Sequence, residues 1–249
     1  MISELEGKTI LITGGSGSLG KVLISNLLNY RCRVIAITSK ILGKIELESE
    51  FSNYNFQCVC CDLTNCEETV LICKEIDAKE RIEVIINCIG NNVDGNIDEL
   101  SYDDFTSVFN TNFLSIYHVI KLFLPGMKSR NNGGVIINIA STLGGRAVPN
   151  CIAYSTAKAA VIHFSRCLSL EVAPWNIRVN CISPGYFASN LTNKLLSSRA
   201  NLEQLVNKIP LNRLLDVNTI VPLVVLMISD AGAYMTGGNV VIDGGISNC

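Results

Sequence analysis

Short apolar runs alternate along the chain with longer segments in which apolar residues recur every three or four positions. The short runs predict strands at residues 9–13, 34–38, 57–61, 84–88, 135–140, 178–183 and 239–242. The longer segments predict helices at residues 19–29, 64–76, 102–130, 152–172 and 219–229. Strands that are apolar at nearly every position and alternate with helices are typical of a parallel sheet covered on both faces. The pattern therefore predicts a doubly wound α/β fold, whose ligands bind beyond the carboxyl ends of the strands.

The length of the chain suits this fold without a second domain. With 249 residues, no internal repeat and no Pro/Gly/Ser-rich linker, residues 1–249 are expected to form a single domain. One polar stretch, residues 189–212, breaks the regular alternation. Its length and composition suit a mobile flap over a binding site, although a surface insertion has the same pattern.

The charge balance narrows the classes of partner. The chain has 20 Lys and Arg residues against 22 Asp and Glu residues and no basic stripe, so nucleic acid is not an expected partner. No apolar run approaches the roughly 18 residues that cross a membrane. Residues 1–8 carry acidic side chains and no apolar segment typical of a secretory signal, so we expect a cytoplasmic protein without membrane contact.

The eleven cysteines suggest a metal site or disulfides, but their spacing supports neither. The Cys-x-x-Cys spacing from Cys58 to Cys61 has no second pair, and neither His118 nor His163 is near it in sequence. Structural zinc sites need about four such ligands. We therefore expect no metal, and we expect the cysteines to act as small apolar residues in a reducing compartment.

The glycine-rich segment TGGSGSLGKV, residues 13–22, fits two phosphate-binding patterns. Gly15-x-Gly17-x-x-Gly20 is the dinucleotide fingerprint, in which bare backbone lets a pyrophosphate approach the N-terminus of the next helix. Gly15 and Gly20 followed by Lys21 also resemble a P-loop of an NTPase. A P-loop needs a Ser or Thr after its Lys to hold magnesium, and Val22 stands there. The dinucleotide interpretation is therefore favoured.

The residues after the second predicted strand bear on the kind of dinucleotide. An NAD site usually has an Asp or Glu about 20 residues after the glycines, where it binds the ribose 2′-hydroxyl. Here the strand ends in Thr38-Ser39-Lys40, and no acid occurs before Glu46. Two hydroxyls and an ammonium group suit a 2′-phosphate, so NADP(H) is favoured over NAD(H). The alternative is that Lys40 only points to water at the start of a helix.

Two Tyr-x-x-x-Lys segments, Tyr117–Lys121 and Tyr154–Lys158, place a phenol and an ammonium on one helix face. The ammonium can stabilise a phenolate and lower a pKa that is normally about 10. Ser141 stands 13 residues before Tyr154, directly after a predicted strand, whereas Asp104 at the same interval before Tyr117 lies in a predicted helix. The second segment is therefore the candidate active site, and the first is expected to pack on the sheet or against a second subunit.

Taken in order, several motifs resemble those of the short-chain dehydrogenase/reductase family, compact single-domain type, along essentially the whole chain. They are the glycine turn at 13–20, Cys61-Asp62-Leu63, Asn87-Cys88-Ile89-Gly90, Thr111-Asn112, Ser141 with Tyr154 and Lys158, Ser183-Pro184-Gly185, Thr236-Gly237-Gly238 and Asp243-Gly244-Gly245. The resemblance implies a Rossmann fold and an NAD(P)(H)-dependent oxidoreductase that interconverts a carbonyl and a secondary alcohol. It also implies a homotetramer or homodimer.

The resemblance assigns roles to four catalytic residues. Tyr154 would be the general acid toward a ketone oxygen in reduction, or the base toward an alcohol in oxidation. Ser141 would hydrogen bond the same oxygen. Lys158 would lower the pKa of Tyr154 and hold the nicotinamide ribose, and Asn112 would position a water in the proton relay.

It also implies a set of cofactor-binding residues from several parts of the chain. Asp62 would bind the adenine, although it could instead cap the helix predicted from residue 64. The full set is Gly14, Ser16, Gly17, Ser18, Leu19, Gly20, Thr38, Ser39, Lys40, Asp62, Leu63, Asn87, Gly90, Tyr154, Lys158, Pro184, Gly185, Phe187 and Ser189.

Two departures from the family pattern bear on function. The compact members read Thr-Gly-x-x-x-Gly-x-Gly, whereas this chain has Ser18 at the middle glycine, so weaker or shifted cofactor binding is expected. The segment 209–213 resembles 3-oxoacyl-carrier-protein reductases, which grip their carrier with arginines. Asn132 and Trp175 stand at those places, with Lys128 and Arg130 near the first. Small and carrier-bound substrates both stay open, as does a non-catalytic nucleotide-binding role.

Overall fold

The protein is built on one seven-stranded parallel sheet with the strand order β3-β2-β1-β4-β5-β6-β7. The computed structural model describes residues 3–189, 191–193 and 198–249. The strands are β1 (Thr9–Thr13), β2 (Arg33–Thr38), β3 (Phe56–Cys60), β4 (Val84–Asn87), β5 (Gly134–Ile139), β6 (Ile177–Pro184) and β7 (Asn239–Ile242). The chain order reverses direction between β1 and β4, so the carboxyl ends of these two strands form the crevice in which such sheets bind ligands.

Eight α-helices of the described residues surround this sheet. They are α1 (Ser18–Asn29), α2 (Ile41–Glu50), α3 (Cys66–Lys79), α4 (Tyr102–Phe109), α5 (Ser115–Arg130), α6 (Ile152–Val172), α7 (Arg199–Val206) and α8 (Val221–Ile228). One apolar core lies between the sheet and helices α1 and α8, and a second lies between the sheet and helices α3, α5 and α6. The doubly wound Rossmann-like fold expected from the sequence is confirmed.

The seven predicted strands are all present, but two helices are missing from the prediction. Helix α2 buries only Leu47, and helix α7 buries only Leu205. Neither helix carries the apolar stripe on which a sequence-based prediction depends. Helix α7 lies within the predicted flap at 189–212, of which residues 190 and 194–197 lie outside the described part of the chain.

The long helix predicted at residues 102–130 is two helices with a π turn between them. Asn110–Leu114 form this turn between α4 and α5. Its hydrogen bonds span five residues instead of four, and such turns are frequent at functional sites. The turn places Asn112 at its centre, with its side chain fully buried.

A line of buried polar side chains crosses the sheet just below the carboxyl ends of its central strands. The Thr13 hydroxyl donates to Asn87 Oδ1 at 3.3 Å, and Asn87 Nδ2 donates to Asn138 Oδ1 at 2.8 Å. Asn138 Nδ2 donates to Ser165 Oγ on α6 at 2.8 Å. These bonds connect β1, β4 and β5 to the helix that carries Tyr154.

Candidate active site

Three of the four expected catalytic side chains lie around the carboxyl end of β5. Ser141 follows this strand, and its Oγ accepts a hydrogen bond of 3.1 Å from the backbone N–H of Leu143. Tyr154 lies in the first turn of α6, where its phenol hydrogen bonds the Ser141 hydroxyl. Lys158 follows one helical turn later, so it lies on the same face of α6. The sequence pattern thus brings these three residues together.

Burial controls the protonation of the Tyr154 phenol. It raises the pKa of Tyr154 from 10.0 to about 12, and the hydrogen bond with Ser141 opposes this only in part. The sequence predicts the opposite direction, a pKa lowered by Lys158. The Lys158 Nζ lies 5.6 Å from the centre of the Tyr154 ring, and desolvation has the largest effect on the pKa of the phenol. Tyr154 is therefore a protonated phenol at neutral pH in this site.

Lys158 is a buried ammonium with one backbone partner. Its side chain is 3% exposed, and Nζ donates a hydrogen bond of 2.9 Å to the carbonyl oxygen of Ile139. Burial lowers the pKa of Lys158 from 10.5 to about 8. The charge of this residue is therefore sensitive to pH just above neutrality.

Asn112 supplies an acceptor that faces Lys158. Its Nδ2 donates to the carbonyl oxygens of Val108 and Asn91, each at 2.8 Å, so the amide orientation is set by the π turn and the loop after β4. Its Oδ1 is buried and has no hydrogen-bond partner among the described residues. A Cβ placed on Gly90 would lie 2.9 Å from Asn112 Oδ1 and 3.7 Å from Lys158 Nζ. Both groups therefore border the small space beside Gly90.

The glycine turn leaves a bare backbone surface at the N-terminus of α1. Gly14 has φ +71°, and a Cβ there would lie 2.9 Å from backbone atoms of Cys88 and Ile89. Gly17 is the N-cap of α1 and provides no side-chain hydrogen bond to the first helical N–H groups. Free N–H groups at a helix N-terminus bind phosphate groups. Ser18, which replaces the middle glycine of the family pattern, is the first residue of α1 and is half-buried.

The residues expected around a 2′-phosphate differ in exposure. Ser39 and Lys40 are exposed, whereas Thr38 is buried and its Oγ1 lies 2.7 Å from Ser16 Oγ. The Thr38 hydroxyl therefore contacts the glycine turn through Ser16, and Ser39 and Lys40 are the exposed members of this segment. The neighbouring Lys21 Nζ pairs with Glu46 at 2.5 Å, which argues against the phosphate-binding role of a P-loop lysine.

The remaining expected cofactor residues fall into two groups. The side chain of Asn87 is fully buried inside the sheet, so a ligand at this strand end would meet the backbone of Asn87 and of the turn that follows it. Asp62 is exposed and accepts hydrogen bonds from Thr64, while Asn65 is the residue that caps α3. The others lie where expected, at or near carboxyl ends of strands: Leu63 after β3, Gly90 after β4, and Pro184, Gly185, Phe187 and Ser189 at and after the end of β6.

Some residues of this site were not assigned from the sequence. They are Asn91, Asn92 and Asp94 in the loop after β4, Cys151 at the N-cap of α6, and Tyr186 after β6. Their position directly after predicted strands, or three residues before Tyr154, is the signal that could have identified them.

The first Tyr-x-x-x-Lys segment, Tyr117–Lys121, lies away from these residues, on the outer face of α5. Tyr117 is 41% exposed, and Lys121 Nζ lies 5.8 Å from the centre of its ring. Both residues line a surface groove of about 820 Å³ between α3 and α5, together with the exposed Leu71 and Leu114.

The region that would grip a carrier holds two cations that already have partners. Lys128 Nζ lies 3.9 Å from the centre of the Trp175 ring, and Arg130 donates to the carbonyl oxygen of Ile82 and lies 3.9 Å from Asp77.

The eleven cysteines are all free thiols. Within residues 3–189, 191–193 and 198–249, no cluster of three or more potential ligands could hold a metal, and no helix is long and apolar enough to cross a membrane.

Known proteins are similar to this chain in sequence and in fold. A family model described as Enoyl-(Acyl carrier protein) reductase matches residues 25–247. The 3-oxoacyl-[acyl-carrier-protein] reductase FabG of Vibrio harveyi is 31% identical over 244 residues, 98% of this chain and 98% of that protein. The acetoacetyl-CoA reductase of an Acinetobacter strain is 30% identical over 246 residues, 97% of this chain and 98% of that protein. The solved Pseudomonas aeruginosa RhlG/NADP active-site complex is similar with a TM-score of 0.92 at 27% identity, covering 99% of this chain and 100% of that chain.

The parallel sheet, the glycine turn before α1, and the half-buried Tyr154 with the buried Lys158 beyond β5 define a dinucleotide-binding enzyme of the α/β class. The chain belongs to the short-chain dehydrogenase/reductase family and resembles its 3-oxoacyl-carrier-protein reductases. It is an NAD(P)-dependent oxidoreductase that acts on CH–OH and C=O groups.

Proposed function

We propose that this protein reduces a ketone to a secondary alcohol with NADPH, and that Tyr154 is the general acid. The observation that carries the proposal is the grouping of a protonated Tyr154 with Ser141, Lys158 and Asn112 at the end of β5, beside the glycine turn. Residues 1–249 would act as one catalytic domain, with residues 189–212 as a flap over the substrate.

The residues around the sheet crevice fit a nicotinamide dinucleotide. The turn from Gly14 to Gly20 and the N-terminus of α1 would hold the pyrophosphate, Asp62 and Leu63 the adenine, and the backbone at Gly90 the adenosine ribose. Tyr154 and Lys158 would hold the nicotinamide ribose, and the segment from Pro184 to Ser189 the nicotinamide. The bound cofactor supplies the hydride.

The chain itself supplies the proton and the electrostatic stabilisation. The Tyr154 hydroxyl would donate its proton to the carbonyl oxygen, and Ser141 would hydrogen bond the same oxygen. The ammonium of Lys158 would stabilise the negative charge that develops on the phenol. A water between Asn112 Oδ1 and Lys158 Nζ would satisfy the unpartnered amide oxygen and return a proton to the site.

We expect reduction to weaken as Lys158 loses its proton. Because burial lowers the pKa of Lys158 to about 8, its charge is present below that pH and is lost above it, whereas the phenol, with a pKa of about 12, stays protonated throughout. With NADPH saturating, kcat/KM for a ketone should be level from about pH 6 to 7.5 and fall several-fold by about pH 9.5. A kcat/KM that rises as the pH increases above the pKa of Lys158 would contradict a role for the Lys158 charge.

Lys40 and Ser39 support NADP(H) over NAD(H), because both are exposed at the end of β2 and the sequence has no acidic residue between Lys40 and Glu46 to repel a 2′-phosphate. The similar RhlG structure is an NADP complex. We expect Lys40→Ala to raise the Kd for NADPH about tenfold, the effect of one charge-assisted hydrogen bond, with little change for NADH. Calorimetry with both cofactors measures this.

Lys44→Ala is the matched control for this prediction. Lys44 lies one turn further along α2 and 3.8 Å from Glu48. The Lys44→Ala substitution should leave the affinities for NADPH and for NADH unchanged. Equal weakening of NADPH and NADH by Lys40→Ala would refute a 2′-phosphate site.

A carrier-bound 3-oxoacyl substrate is the second candidate, favoured by the 31% identity with FabG. Against it, Lys128 stacks on Trp175 and Arg130 is held by Asp77 and Ile82, so neither cation is free for a carrier. A non-catalytic nucleotide-binding role is less favoured, because all four catalytic side chains are present. Parallel assays with a small ketone and an acyl-carrier-protein thioester distinguish these candidates.

We also propose that the protein forms a homotetramer or homodimer in the cytoplasm. The groove between α3 and α5 supports a contact with a second copy, because exposed Leu71, Leu114 and Tyr117 line it. Eleven reduced cysteines suit the cytoplasm. Sedimentation equilibrium of the purified protein tests the number of subunits.

A further inference from the structure

A polar cluster of Asn92, Asp94 and Cys151 lies beside the catalytic phenol. Asn92 Nδ2 donates to Asp94 Oδ1 at 2.6 Å, and Cys151 Sγ donates to the same oxygen at 3.8 Å. Cys151 precedes Tyr154 by three residues at the start of α6, so the thiol and the phenol lie on one side of the helix. The thiol is close enough to contribute to the raised pKa of Tyr154. The cluster therefore lies at the mouth of the active site.

This cluster presents hydrogen-bond acceptors that have no donor. Asn92 Oδ1 is buried and has no hydrogen-bond partner within the part of the chain that the structure describes. Asp94 is exposed and receives both of these hydrogen bonds at Oδ1, so its Oδ2 can accept a hydrogen bond from water or from a ligand. Buried polar atoms in folded proteins almost always have a partner, so a ligand that donates hydrogen bonds fits this position.

The charges around the mouth restrict the ligand further. Arg146 and Cys151 both lie near enough to Tyr186 to act on the pKa of that phenol. Arg146 would repel a cationic substituent of the substrate, and Asp94 would repel an anionic one. A neutral group that donates a hydrogen bond avoids both repulsions, and a hydroxyl is the simplest such group.

We propose that Asp94 and Asn92 bind a hydroxyl group of the substrate, which makes the substrate class a hydroxylated ketone. The hydroxyl donates to Asp94 Oδ2 or Asn92 Oδ1 while the carbonyl oxygen lies at Ser141 and Tyr154. This inference rests on the proposed ketone reduction, and it identifies Asp94 as a residue that determines specificity.

The experiment compares matched pairs of ketones. Hydroxyketones whose hydroxyl stands one to four carbons from the carbonyl are each assayed against the corresponding ketone without the hydroxyl, with NADPH. We expect the wild-type protein to prefer at least one hydroxyketone about tenfold in kcat/KM, as the discrimination of a site with unpaired acceptors requires. Asp94→Ala and Asn92→Ala should reduce that preference to about twofold or less, and the ratio of kcat/KM within each pair is the readout because an effect common to both ketones cancels in it.

Asp98→Ala is the matched control, since Asp98 is an exposed carboxylate four residues further along the same loop. It should keep the wild-type preference. A wild-type protein that reduces both members of every pair equally, or a preference that survives in Asp94→Ala, overturns the hydroxyl site alone. Absence of turnover with every ketone, together with no NADPH binding, overturns the proposed function as well.

Discussion

Replacement of Tyr154 by phenylalanine should lower kcat/KM for ketone reduction by about a thousandfold, the range that a positioned general acid contributes. Phenylalanine keeps the ring, and Ser141 and Lys158 keep their backbone-anchored positions, but no phenolic proton is left for the carbonyl oxygen. The fold should survive, because the change removes one oxygen from a half-buried side chain. Steady-state reduction assays at pH 7 measure the effect, and calorimetry should show NADPH affinity within about tenfold of the wild type.

Tyr117→Phe is the control that the chain itself offers. Tyr117 also stands four residues before a lysine on a helix, but it lies on the outer face of α5 with its ring partly exposed. The Tyr117→Phe variant should have the same reductase activity as the wild-type protein. Ordinary activity in Tyr154→Phe would exclude the proposed acid and direct attention to another proton source.

Substitution of Gly14 by alanine should disable cofactor binding. A residue with a side chain is strained at φ +71° by about 1–2 kcal/mol, and the new Cβ would lie 2.9 Å from the backbone of Cys88 and Ile89. The backbone of Cys88 and Ile89 cannot move aside as a flexible side chain could. The glycine turn at the start of α1 must therefore shift. We expect the Kd for NADPH to rise about 30-fold or more, as for the loss of one or two hydrogen bonds to a charged phosphate.

The variant Gly7→Ala separates the effect of backbone strain from the effect of the Cβ clash. Gly7 has φ +78°, nearly the same as Gly14, but nothing lies within 4 Å of the position of its Cβ. The Gly7→Ala variant should lose about 1–2 kcal/mol of unfolding free energy, as measured by urea unfolding, and it should bind NADPH with the affinity of the wild-type protein. If both variants bind NADPH equally well, the glycine turn does not form the pyrophosphate site.

Strand positions and helix faces explain why much of the site could be predicted. Ser141 follows an apolar run, so it had to lie at a strand end, and the four-residue interval from Tyr154 to Lys158 had to put both on one helix face. Sequence periodicity does not reveal how individual side chains turn. Thr38 and Asn87 point into the fold because Ser16 and Asn138 offer them partners there, which only the sheet pairing shows.

The electrostatics of the site were even less accessible to prediction. The pKa of Tyr154 depends on how completely the surrounding elements exclude water, and this depends on tertiary packing rather than on the interval to Lys158. Asn92 and Asp94 were missed for a related reason. An irregular loop has no periodicity, so the contact of this loop with Cys151 appears only in three dimensions.

The π turn at Asn110–Leu114 has a consequence for how this gene can vary. Such a turn holds one residue more than an α-helix would need, and each helical residue rotates the chain by about 100°. Deletion of a single codon there would let α4 and α5 join as one regular helix, so the protein could still fold. The same deletion would turn the amide of Asn112 away from Gly90 and Lys158. The number of residues in this turn therefore sets the direction of the Asn112 amide.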